Sequence, residues 1–131
     1  MIVYVETSAA AKLLVEEEAS DRLAECLDVL PDAPLSCLIL ETELRRLAIR
    51  VEIPQAAVTD VLDKFDLLES DRSLYREAGL LPGRHLRSLD ALHVAAALRL
   101  NADVMLSYDH RQIAAAGEAG LRTLEASRGA C

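Results

Sequence analysis

The chain has 131 residues, enough for one compact domain with a substantial core, spanning residues 1–131, and too few for two of ordinary size. Hydrophobic residues make up 52% of it and aromatics only 3%, so the core must be filled by Leu, Ala, Val and Ile rather than by rings. A net charge of -8, from 14 Lys and Arg against 22 Asp and Glu, excludes a protein that holds nucleic acid by broad phosphate neutralisation alone, and it invites a basic protein partner.

Ile2 to Val5 is an unbroken β-branched apolar run, the pattern of a parallel strand buried on both faces. Thr7 or Ser8 then caps a helix reaching about Glu17, and a second helix runs from about Ala19 to Leu30, stopped by Pro31. Leu35 to Cys37 reads as a second strand. From Leu38 to Val51 the pattern is helical, with Ile39, Leu40, Leu44, Leu47 and Val51 on one arc. Pro54 opens a helix to about Phe65, Leu67 and Leu68 make a brief strand, and Asp71 to Leu80 form a helix stopped by Leu81-Pro82-Gly83. Ser88 caps a helix to about Leu100 that is apolar nearly all round, so it is expected to be deeply buried. Asp103 to Ser107 is a strand, Arg111 to Ala116 a helix, and Leu121 to Leu124 the last strand. Such alternation predicts an α/β fold: a parallel sheet with helices on both faces, binding its ligand beyond the carboxyl ends of the strands.

No apolar run approaches the roughly 18–20 residues that cross a bilayer, and the start lacks a basic segment, so a soluble cytoplasmic protein is expected. Cys26, Cys37 and Cys131 are odd in number, far apart and without metal-ligand spacing. They read as reduced thiols.

Four acids converge on the edge where a ligand is expected. Glu6 directly follows the first strand and Asp109 lies just past Asp103–Ser107. Asp90 sits in the first turn of the buried helix, which starts at the same edge. Glu43 falls inside the apolar arc of its helix, whereas Glu41 falls outside it with Arg45 four residues on as a surface partner. Carboxylates gathered in a partly buried place raise one another's pKa unless a cation neutralises them. Ligation by acid oxygens selects Mg²⁺ or Mn²⁺ over zinc, and such ions turn water into a nucleophile for phosphodiester hydrolysis. Arg84 with Arg87, and Arg45-Arg46 with Arg50, supply local positive charge.

Each residue also has a simpler reading. Asp90 could favour the positive end of its helix, Asp109 could cap a helix, and Glu6 and Glu43 could be surface acids. Asp60, Asp63 and Asp66 read as a solvated helix face, Glu16 to Glu18 as a solvated helix end, His93 as a packed core histidine, and His85 and His110 as exposed. Ser8 lacks the elbow of a serine nucleophile and is better placed to hydrogen-bond the carboxylates.

The segments Val5-Glu6-Thr7-Ser8-Ala9, Thr42-Glu43-Leu44-Arg45, Leu86-Arg87-Ser88-Leu89-Asp90-Ala91-Leu92-His93 and Leu106-Ser107-Tyr108-Asp109 together resemble the PIN-domain toxins called VapC. The resemblance implies a three-layer α/β/α sandwich with a central parallel sheet. It also implies a Mg²⁺-dependent ribonuclease acting on tRNA or rRNA, held inactive by a VapB antitoxin and commonly homodimeric. By motif, Glu43, Asp90 and Asp109 match the family's acidic metal ligands, and Glu6 stands where the family usually has Asp. Ser8 and Ser107 match its supporting hydroxyl residues. Within this fold the alternative is a degenerate domain that binds RNA or protein without cutting. A phospho-acceptor receiver domain would need a late lysine, whereas the two lysines, Lys12 and Lys64, both come early, and a dehalogenase-like phosphatase would need Asp at position 6.

Overall fold

Strand residues alternate between faces, so an all-apolar strand must bury both of them. In the computed structural model, whose described residues are 1–124, the strands are β1 (Val3–Val5), β2 (Leu35–Cys37), β3 (Asp66–Leu68), β4 (Val104–Leu106) and β5 (Thr123–Leu124). The helices are α1 (Thr7–Leu14), α2 (Ser20–Asp28), α3 (Ile39–Val51), α4 (Gln55–Leu62), α5 (Arg72–Leu80), α6 (Ser88–Arg99) and α7 (His110–Glu118). Val3, Val5, Val104 and Leu106 face one core, built with Ala9, Leu23, Leu44 and Val58 from α1 to α4. Tyr4 and Met105 face the other, built with Leu74, Val94 and Ala116 from α5 to α7. The expected α/β/α sandwich is thus two cores divided by one sheet.

All strand pairings are parallel, in the order β3-β2-β1-β4-β5. The chain builds outward from β1 through β2 and β3, then crosses back to lay β4 and β5 on the other side. The direction of winding therefore changes between β1 and β4, and open α/β sheets bind ligands at the carboxyl ends flanking such a switch. Glu6 and Asp109 leave the sheet there.

Several boundaries differ from expectation for physical reasons. α1 stops at Leu14, with Val15 extended, because three consecutive glutamates oppose the negative end of a helix. Glu17 instead accepts from Lys12 Nζ at 2.6 Å. Ser88 is not the cap of α6. Arg87 takes that position without a side-chain bond, so the helix begins one residue early and Asp90 remains in its first turn. Ala91 through Ala97 are all buried, as the all-round apolar pattern requires. Arg99, near the end of α6, reaches Asp71 Oδ1 at 3.0 Å, Glu77 at 2.9 Å and Ser73 Oγ at 2.9 Å, and so ties α6 to α5.

No helix among the described residues is long and apolar enough to cross a membrane. The reading of reduced thiols holds for Cys37, which is free and buried, but not for Cys26, which is disulfide-bonded. Cys131 lies outside the described residues.

Candidate active site

Glu6 leaves β1 and becomes the N-cap of α1, where it is only 5% exposed. Its Oε1 accepts the backbone N–H of Ser8 at 2.6 Å, and its Oε2 accepts the hydroxyls of Ser8 and Ser107, both at 2.6 Å. Those two hydroxyls in turn accept backbone N–H groups from the loop after β4, Ser8 Oγ from Tyr108 at 2.8 Å and Ser107 Oγ from Asp109 at 3.1 Å. The two serines therefore lock the ends of β1 and β4 together around one carboxylate. A carboxylate has about four lone-pair sites, so Glu6 retains roughly one for a further partner.

Asp109 caps α7, its Oδ1 accepting from the N–H groups of Arg111 at 2.9 Å and Gln112 at 3.4 Å. Capping leaves Oδ2 without a hydrogen bond from any described residue, so it does not by itself exclude a role in the site. Asp90 is placed by α6, and its backbone carbonyl accepts from the buried Gln112 side chain at 3.1 Å. Its carboxylate takes no hydrogen bond or ion pair from any described residue. Burial raises its pKa above the ordinary value, and the charges of Asp109 and Glu6 raise it further, with Arg111 and His93 opposing. Asp109 and Glu6 are thus near enough for their charges to act on Asp90.

Glu43 joins this group through other side chains. Its Oε1 accepts from Thr7 Oγ1 at 2.7 Å and from His93 Nε2 at 2.8 Å, and Oε2 accepts no hydrogen bond from a described residue. Burial pushes its carboxyl up, but the bonds from His93 and Thr7 outweigh that and hold it below its usual range. The other ring nitrogen, His93 Nδ1, lies 2.7 Å from the fully buried Tyr4 hydroxyl and 3.8 Å from Cys37 Sγ. Burial disfavours the charged imidazole, yet its bonds to Cys37 and Glu43 raise it to about 10. Tyr4, His93 and Glu43 form one relay from the core to the sheet edge.

Position on one helix could not reveal that relay, and His93 was expected only to pack. The usable signal is its place one turn beyond Asp90 on the same helix, facing the same edge. Replacing His93 by Ala should cost about 3 kcal/mol, because it empties a packed site and removes the ring's hydrogen bonds to Tyr4 and Glu43. Urea unfolding of the two proteins measures this. A loss below about 1 kcal/mol would show that the relay carries no net stability.

The solvated residues behave as expected: Asp60, Asp63, Asp66, His85 and His110 are all exposed, although Asp66 opens β3 instead of lying on a helix, and Glu41 pairs with Arg45 at 3.1 Å. Beside Asp90 a cleft of about 400 Å³ carries Arg84 and Arg111 on its walls, local positive charge against the chain's negative sum.

Among the described residues no group of three or more His, Cys, Asp or Glu side chains is arranged to hold a metal ion. The donor chemistry nevertheless fits a hard divalent cation. Among the described residues both oxygens of Asp90, Oε2 of Glu43 and Oδ2 of Asp109 are unpartnered carboxylate oxygens, and Glu6 keeps a lone pair beside them.

Residues 3–118 match the family model described as PIN domain. Ribonuclease VapC35 of Mycobacterium tuberculosis is 37% identical over 117 residues, covering 84% of this chain and 86% of its own. Ribonuclease VapC46 of the same organism is 34% identical over 127 residues, covering 95% and 98%. Among solved structures, Mycobacterium tuberculosis VapC20, titled a Sarcin-Ricin loop cleaving toxin, superposes with a TM-score of 0.73 at 18% identity, covering 86% of this chain and 94% of that one. VapBC-1 from nontypeable Haemophilus influenzae superposes with a TM-score of 0.72 at 16% identity, covering 98% and 100%.

Proposed function

The chain belongs to the PIN-domain family, as a relative of the VapC ribonuclease toxins, and from that premise we propose that it is a Mg²⁺-dependent endoribonuclease toxin that hydrolyses RNA phosphodiester bonds. What supports this reading most is that Glu6 and Asp109 leave the sheet at the β1–β4 switch point, and that the half-buried Asp90 carboxylate, exposed to their charges, takes no hydrogen bond from any described residue. Glu6, Glu43, Asp90 and Asp109 are the proposed metal ligands, with Ser8 and Ser107 as supports. Mn²⁺ suits the same oxygen set.

When bound, such an ion makes water a stronger nucleophile at neutral pH and offsets charge on a phosphodiester. The chain's own residues do the positioning. Ser8 and Ser107 hold Glu6 in one rotamer by donating to it, and Asp109 is fixed by the first turn of α7. His93 and Thr7 fix Glu43 through one oxygen and leave the other outward. Arg84 and Arg111, beside Asp90, would take backbone phosphates, a local positive charge within a chain of net charge -8. The proposed substrate is tRNA or rRNA, acted on by residues 1–131 as one domain in a cytoplasmic homodimer.

The proposed inhibitor is a VapB-like antitoxin that sets a basic group among the acids, because an acidic pocket favours a counter-charge. The likeness of the fold to VapBC-1 from nontypeable Haemophilus influenzae supports such a partner by kinship alone.

Attack by water rather than by the ribose 2′-hydroxyl fixes the products. Incubation with total RNA and Mg²⁺, followed by mapping of the ends, should show 5′-phosphate and 3′-hydroxyl termini. Recovery of 2′,3′-cyclic phosphates would rule this chemistry out.

A further inference from the structure

A second cleft, of about 330 Å³, opens between α3, α5 and the start of α6, and Glu43 forms part of its wall. Its character differs from that of the Arg84 cleft. Leu38, Leu89 and Tyr75 line it while remaining 41%, 49% and 52% exposed, an apolar and aromatic surface left open beside a group of charges. The Tyr75 phenol has no partner among the described residues. In the same wall the Ser70 hydroxyl is buried without a hydrogen bond, and Thr42 offers a second hydroxyl. Buried hydroxyls are normally paired, so Ser70 marks a place where a polar atom is missing.

We propose that this cleft is a subsite for one unstacked nucleobase of single-stranded RNA, belonging to a nucleotide that flanks the bond being cut. The proposal rests on the ribonuclease reading and names which part of the substrate is read. Aromatic rings accept bases by stacking, and hydroxyls pair with the polar base edge, whereas a paired A-form helix exposes neither face. The apolar core of a protein interface would leave Ser70, Thr42 and Glu43 facing apolar surface, so a base fits this wall better than a second copy of the chain. Because Glu43 belongs both to the acidic group and to this wall, a strand with its phosphate at the acids has a neighbouring base within reach of Tyr75. The two clefts then divide the work: arginines hold backbone on the Asp90 side, and a ring and hydroxyls hold a base on the Glu43 side.

The test uses full-length Asp90→Asn protein, so that RNA is bound but not cut, and a fluorescein-labelled single-stranded RNA of mixed sequence, read by fluorescence anisotropy. Abasic sites are introduced one at a time along the RNA. One position should lose about tenfold in affinity, the size of one lost base–aromatic stack. Tyr75→Ala should lose the same amount, with no further loss from the abasic site at that position, and Tyr75→Phe should bind like the parent. A loss that is equal at every position, or that follows a change of oligomeric state, would overturn the subsite and make the cleft an interface. If Tyr75→Ala binds unchanged while the wild-type protein cuts the same RNA in Mg²⁺, the subsite is wrong and the ribonuclease reading stands. If the wild-type protein neither binds nor cuts any of these RNAs, both fall.

Discussion

Asp90→Asn should reduce Mg²⁺-dependent RNA cleavage by about a thousandfold or more while leaving the protein folded and somewhat more stable. The two effects have one cause. Among the described residues the Asp90 carboxylate has no hydrogen-bond partner, so its charge is open to a cation, and burial and the charges of Asp109 and Glu6 oppose it. A carboxyl whose pKa is raised on folding costs stability above its unfolded value, and that cost fades as pH falls towards the unfolded pKa. The neutral amide escapes it. Measured in chelator, Asp90→Asn should therefore unfold at higher urea than the parent at pH 7, with the gap closing near pH 4. An Asp90→Asn variant that is destabilised at pH 7, or fully active, would contradict this account.

Glu6→Gln is expected to damage both activity and stability, unlike Asp90→Asn. Three donors converge on the Glu6 carboxylate at 2.6 Å, and a Gln would present an NH₂ group to at least one of them. Hydrogen bonds to a buried charged group are worth about 1.5–3 kcal/mol, so the loss should be near 2 kcal/mol, together with weaker divalent-ion binding and slower cleavage. Glu6→Asp separates the contributions. It keeps the charge, shortens the reach by one methylene and places a better N-cap residue at the start of α1. Cleavage by this variant should match or exceed the parent if the remaining ligands keep the family's geometry. Should Glu6→Gln cleave as well as the parent while Asp90→Asn is dead, Glu6 is a cap and not a ligand, and the site works with three acids.

The fold was legible because hydrophobic pattern alone assigns faces. The run Val3-Tyr4-Val5 has no polar side and must divide two cores, and the all-apolar α6 must lie inside. Element order then placed Glu6 and Asp109 at one sheet edge without any contact being known. Contacts across elements were beyond that reasoning. The wheel put Glu43 towards the apolar arc but could not show that His93, fifty positions later, would donate to it, nor that Tyr4 would brace the ring. Helix ends failed where charge overrode periodicity, as at Glu16 to Glu18, and where the cap shifted by one residue, as at Arg87. Nor could spacing reveal that Glu6 is itself a cap held by Ser8 and Ser107, the feature that makes its substitution cost more than a lost ligand.

Add-back of metal to chelator-treated protein, with cleavage of total RNA followed over time, decides whether the acids act through a cation. Cleavage should be absent in chelator, return on adding Mg²⁺ or Mn²⁺, and stay absent for Asp90→Asn under all of these conditions. Undiminished cleavage in excess chelator, or equal recovery by Asp90→Asn, would exclude metal-dependent hydrolysis at these acids.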